Sequence, residues 1–162
     1  MTGLLLIAGA FWFGQAAPAV PVCEPYQLSP RYGIDGAAGA NYAKITVENV
    51  SDTPCVLAGV PEVRRYDEQS NRIETSVTGG VALTTAGAGK EKLLLRPKAS
   101  ATFVMASEGK TGRAASRRCA SYLLVSLRYS GHKFRPFAVI DMESCRPSVM
   151  LSGFVEGAPS RQ

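Results

Sequence analysis

Four cysteines, Cys23, Cys55, Cys119 and Cys145, follow a short apolar N-terminus, and nothing else in the chain constrains its fold as much. An even cysteine number behind an export-like segment indicates two disulfides made in an oxidising compartment. Four cysteines permit three pairings. The sequential one is expected: Cys23–Cys55 and Cys119–Cys145. Cys23 would staple the start of the mature chain beside the turn that follows YAKITVENV, Tyr42 to Val50. Cys119 precedes one strand-like run and Cys145 follows the next, so their bond would close a hairpin-like unit. Each loop encloses roughly 30 residues, which corresponds to about 3–4 kcal/mol of chain entropy apiece. A structural zinc would need cysteines paired at short spacing. These are far apart, and His132 is the only histidine, so no metal and no cofactor is expected.

The apolar run LLLIAGAFWF, Leu4 to Phe13, leads to Ala17-Pro18-Ala19, an A-x-A-like cleavage site with Val20 as the first mature residue. Residues 1–19 therefore read as a signal peptide. No Lys or Arg precedes the run; the first basic residue is Arg31. Either the true start lies upstream of Met1 or the α-amino group supplies the charge. A bilayer span needs roughly 20 apolar residues, so no stable membrane span is expected after signal removal. A lipidated cysteine follows a small residue, whereas Val22 precedes Cys23, which leaves Cys23 for a disulfide.

The remaining length suits one domain with a single packed core, expected over residues 20–156, with residues 157–162 as a flexible tail. The net charge of +5 is unevenly spread. Residues 1–89 carry five basic and eight acidic side chains, residues 90–135 eleven and two, and the rest two and three. The middle segment at +9 is a candidate cationic face for an anionic partner. Within it, Lys110, Arg113, Arg117 and Arg118 crowd one polar stretch with Glu108 as the one nearby acid.

Short alternating runs dominate. In Tyr42 to Val50, Ala43, Ile45 and Val47 share one face and Lys44, Thr46 and Glu48 the other, the period of a half-buried strand. Ser51 to Pro54 turns the chain. Val60 to Tyr66 is a second strand, with Pro61 at its start, and Asp67 to Asn71 a polar turn. Residues 76–92 are weakly patterned and read as a long loop with one short strand at Val81–Leu83. Leu93–Leu95 is broken by Arg96-Pro97-Lys98, and Ala101 to Met105 resumes with Ala101, Phe103 and Met105 on one face. Ser107 to Arg118 is polar. Ser121 to Tyr129 is the strongest strand, with Leu123, Val125 and Leu127 inward; Lys133 to Ile140 and Ser148 to Val155 complete the set. Seven to eight short strands separated by turn residues predict an all-β fold, an antiparallel immunoglobulin-like β-sandwich stapled by disulfides.

Catalytic motifs fail in detail. A serine triad would have to use His132, in a turn between Gly131 and Lys133. Ser130 to Lys133 matches S-x-x-K and Lys110-Thr111-Gly112 matches K-T-G, but in the reverse of the order used by penicillin-interacting enzymes. Gly87-Ala88-Gly89-Lys90 lacks the glycine and the hydroxyl residue of a phosphate loop, at Thr84 and Glu91. Asp67/Glu68 and Asp141/Glu143 are carboxylate pairs that nothing in the sequence sets across a cleft. Asn49-Val50-Ser51 is a formal glycosylation sequon.

The order of features resembles a secreted bacterial domain-of-unknown-function family, number 4232. The resemblance rests on Cys23, on GAAGANYAKITVENVSDTPCVLAGVPEV from Gly36 to Val63, on LRPKASATFVM from Leu95 to Met105, and on CASYLLVSL from Cys119 to Leu127. NVSDTPCVLAGVPEV is its most specific part. The chain departs from the family at Lys98, where a glycine usually follows the proline. The resemblance implies an exported immunoglobulin-like sandwich with disulfides, and it carries no catalytic residues.

Three functions are compatible with these readings. The leading one is a non-enzymatic binding or adhesion module of the envelope or the extracellular space, with an anionic envelope polymer or a protein as partner. A small secreted enzyme or enzyme inhibitor is the rival; it requires a cleft with perturbed ionisable groups. A polyanion binder using residues 90–135 is the third. Intracellular nucleic acid is disfavoured by the export segment and by the lack of an aromatic stacking platform.

Overall fold

Alternating apolar side chains build a chain that is almost entirely β. The computed structural model describes residues 19–37, 39–79, 89–108, 119–128 and 133–157. Within them lie a short 3-10 turn, Pro25–Gln27, and twelve strands: β1 Leu28–Ala37, β2 Ala40–Asn49, β3 Cys55–Ala58, β4 Glu62–Tyr66, β5 Arg72–Ile73, β6 Ser76–Thr78, β7 Lys92–Leu95, β8 Ser100–Glu108, β9 Tyr122–Ser126, β10 Pro136–Ile140, β11 Ser148–Leu151 and β12 Val155–Glu156. The expected signal peptide and most of the expected tail lie outside the described residues, as does Val81–Leu83. Gly157 is tied down: its N–H donates to the Ser100 carbonyl at 2.8 Å. No helix among the described residues is long and apolar enough to cross a membrane.

One sheet runs β1-β2-β8-β11-β6, with β12 also on β8. The second runs β10-β9-β4-β5, and β3 and β7 form a separate two-stranded ribbon. Ile45, Phe103 and Leu151 of the first sheet share one core with Val63, Leu123 and Ile140 of the second and with Leu57, Leu93 and Leu95 of the ribbon. Phe103 sits edge-on to Phe137 and Phe154, with centroids 6.5 and 5.2 Å away, the arrangement that ring quadrupoles favour. Ile45, Val47, Phe103, Leu123, Val125 and Leu127 are all fully buried, so the period-two phase of three strands matches the core face.

The structure corrects the strand inventory. β1, a ten-residue partner of β2 from Leu28↔Asn49 to Ala37↔Ala40, was not foreseen. Its residues beyond Pro30 are exposed on both faces through Gly36, so no apolar alternation marks it. β3, β5 and β6 are too short for a period to register. Nor is the sheet wholly antiparallel: β11 pairs with β6 in parallel, Val149 beside Val77, which brings part of the expected loop 76–92 into the sheet.

The expected strand Ser148 to Val155 divides in two. β11 pairs Val149 with Ser107, and β12 pairs Val155 with Thr102, a register slip of one residue along β8. That extra residue is a bulge. Ser152 fills it: its N–H donates to the Val104 carbonyl at 2.9 Å and its Oγ accepts the Val104 N–H at 2.8 Å.

Candidate functional site

The segment KEKLLLRPK, Lys90 to Lys98, alternates with a period of two. Leu93 and Leu95 are buried, whereas Lys90, Lys92, Leu94 and Arg96 face solvent. Burial of the two leucines thus sets three cations and one exposed leucine on the outer face of β7.

The start of β7 is seated by a close backbone approach. Lys90 N–H donates to the Phe154 carbonyl at 2.8 Å, immediately after the Ser152 bulge. Gly89, at φ +84°, lies against Gly153, and a Cβ at residue 89 would stand 2.3 Å from the Gly153 carbonyl carbon. Only glycine fits both the conformation and the gap.

The end of β7 is held by Asn49, which is fully buried. Its Nδ2 donates to the carbonyls of Leu95 at 3.0 Å and Thr53 at 2.8 Å. Its Oδ1 accepts from the N–H and the hydroxyl of Ser51, at 3.0 and 2.7 Å. A glycan on so fully engaged an amide is incompatible with this fold. Its backbone carbonyl also accepts the Lys98 N–H at 2.8 Å.

Arg96 to Ala99 form a turn closed by the Ala99 N–H on the Arg96 carbonyl, 3.0 Å. Pro97 occupies its second position and Lys98 its third, at φ +61°. This is type II geometry, in which the third position favours glycine. A lysine there is strained by about 1–2 kcal/mol.

These elements border a groove of about 620 Å³. Lys92, Leu94, Arg96 and Lys98 line it from the β7 side; Glu156 and Gly157 line it from β12. Lys90 Nζ pairs with Glu156 at 2.7 Å. The Lys90 hydrogen bond and charge, with a smaller contribution from Arg96, hold the Glu156 carboxyl below the usual carboxylate range. Lys92, Arg96 and Lys98 make no ion pair among the described residues.

Lys110, Arg113, Arg117 and Arg118, the cations singled out by sequence, lie outside the described residues, as does His132. The four that share the groove belong to the same basic segment, and the alternation of KEKLLLRPK was the signal that could have separated them. Cys23 is bonded to Cys55 and Cys119 to Cys145, the two sequential pairs. Cys119, Glu143 and Cys145 cluster within 4.8 Å, but the two sulfurs are bonded to each other, so neither is the thiolate that a metal requires.

Sequence reading also missed Arg65, buried on the inner face of β4. Its Nη1 donates to the Glu74 carbonyl at 3.0 Å and its Nη2 to that of Ser144, beside Cys145, while Nε has no partner among the described residues. Desolvation lowers its pKa. It ties β4 to the second disulfide rather than to the groove.

A search of the curated proteins and of the solved structures finds no significant match. A scan of protein families matches residues 23–150 of the 162 to one described as Domain of unknown function (DUF4232), a span that includes all four cysteines, the buried Asn49 and the whole of β7. The chain belongs to the DUF4232 family.

Proposed function

We propose that this protein is an exported, non-enzymatic binding module that engages an anionic partner through the groove beside β7. The observation that carries this reading is the set of three cations, Lys92, Arg96 and Lys98, that make no ion pair among the described residues and stand on one rim of a groove held by a disulfide-stapled core. Export is supported by the A-x-A-like site at Ala17-Pro18-Ala19 and by two disulfides, which persist in oxidising compartments. Lys98 adds support of a different kind. Strained backbone recurs at binding sites, and here the strain places a cation at the mouth of the groove.

The test is retention on an anionic matrix and on purified envelope polymer across a salt series. Attraction should fade steeply as the screening length falls from about 10 Å at 0.1 M to about 3 Å at 1 M. A Lys92→Ala/Arg96→Ala/Lys98→Ala variant should elute early. Glu156→Gln, which releases Lys90, should elute late. A second variant, with Ala at Lys110, Arg113, Arg117 and Arg118, measures the other half of the basic segment. If the groove variant co-elutes with wild type at low salt, the groove is only a solvated surface.

A further inference from the structure

The groove has a second recognition element, its backbone. Among the described residues β7 pairs with β3 alone. The Gly59 N–H donates to the Glu91 carbonyl at 2.6 Å, so Leu93 and Leu95, in the same phase, turn their polar groups toward β3. Lys92 and Leu94 turn theirs to the opposite edge. Val56, beside Leu94, confirms the alternation: it faces away from β7, donating to the Pro21 carbonyl and accepting the Cys23 N–H. On the open edge Lys90 is bonded to Phe154, but Lys92 and Leu94 have no backbone partner among the described residues.

We propose that this edge captures an extended acidic peptide segment, which adds to β7 as a further strand. The inference rests on the anion-binding reading above and names its partner class. An added strand places its side chains about 4.5–5.5 Å from those directly opposite. An acidic residue then meets Lys92, an apolar one meets Leu94, and a second acidic one meets Arg96. The pattern acidic-x-apolar-x-acidic is the same in both directions, so a parallel or an antiparallel peptide satisfies it. Lys98 adds charge at the turn.

A peptide fits better than a polyphosphate, because the open edge alternates donors and acceptors. A polyphosphate supplies acceptors alone and leaves the carbonyls of Lys92 and Leu94 unmet. Strand addition meets both sets, with backbone bonds giving affinity and side-chain positions giving selectivity. A second copy of β7 is disfavoured, since pairing about Leu94 would set Lys92 of each copy opposite Arg96 of the other. Two other edges are guarded. β3 is covered by the bridge from Val22, and β1 carries Pro30, which has no N–H, with Gly33 and Gly36.

The test uses the full mature protein and three probes: the peptide GSETVTESG, its two forms N-methylated on alternate amides, and inorganic polyphosphate. Binding is read by fluorescence polarisation and by hydrogen exchange at the Lys92 and Leu94 amides. Strand addition predicts protection of both amides by the peptide. It also predicts that one N-methylated form binds about tenfold more weakly, a loss of roughly 1.4 kcal/mol, while the other is unaffected. Leu94→Pro removes an edge N–H that no described group uses, so it should keep the wild-type circular dichroism and lose about tenfold in peptide affinity. Equal binding of both N-methylated forms, or polyphosphate bound and peptide not, overturns strand addition and leaves the anion groove standing. If neither probe binds and the groove variant is retained like wild type, both readings fall.

Discussion

Lys98 shows how a single residue carries opposing demands. Its φ of +61° belongs to a turn position that glycine occupies without cost, yet it presents an ammonium group to the groove. Lys98→Gly is therefore expected to raise stability by about 0.5–1 kcal/mol, the left-handed strain relieved less the entropy glycine adds to the unfolded chain. The same change should weaken retention on an anionic matrix. Urea unfolding and the salt series together check the pair. A Gly variant that is less stable than wild type would mean that the lysine side chain serves the fold. Asn49 works at the same scale: one buried amide makes four hydrogen bonds and joins β2, the Ser51–Thr53 turn and the end of β7. The triplet pattern shared with glycosylation sites concealed that role, because a sequence does not reveal whether an amide is buried.

At the scale of elements, β9 is the centre of the second sheet, with β4 on one side and β10 on the other. Val125 pairs with Val63 and Ala138, and Leu123, Val125 and Leu127 all lie in the core. Leu123→Ala is expected to cost about 2–4 kcal/mol, because the strands on both sides prevent the cavity from collapsing. Val139→Ala, on the outer face of neighbouring β10, should stay within about 0.5 kcal/mol. Chemical denaturation of the two variants measures the contrast; equal losses would place the sheet one residue out of phase. The same logic explains β8, buried along both faces from Ser100 to Ser107. Its sequence showed one inward face; the other carries Ser100, Thr102, Val104 and Ala106, short side chains set between the rows of β2 and the β11–β12 pair.

For the molecule as a whole, the disulfides close loops with sequence separations of 32 and 26. Each should contribute about 3–4 kcal/mol through the unfolded chain, against a typical total near 5–15 kcal/mol. Cys23→Ser/Cys55→Ser and Cys119→Ser/Cys145→Ser are each expected to lose that amount in urea titration, and reduction of both bonds should bring the protein close to unfolding. Non-reducing peptide mapping checks the pairing, and free thiols or a Cys23–Cys119 fragment would contradict it. An unchanged midpoint in either double variant would show that the hydrogen bonds beside that disulfide hold the chain without it. The Cys23–Cys55 bond also anchors the segment whose Val22 bridge covers the outer edge of β3, so β7 is left as the open edge of the ribbon.

What the sequence determined by itself was local or countable. The apolar period of β2, β8 and β9 is written in neighbouring residues, cysteine parity limits the pairings to three, and the charge imbalance of residues 90–135 is a matter of composition. What the tertiary structure alone decided was partnership. β1 exists because β2 offers it ten residues of ladder, not because its own residues alternate. The bulge at Ser152 arises from the register of β11 and β12 on β8, and it sets where β7 begins. Lys90, Lys92, Arg96 and Lys98 share one groove because Gly89 is seated on Gly153 and Asn49 holds the following turn. Hydrogen-bond partners far apart in the chain settle these features, and a pattern confined to adjacent residues carries no record of them.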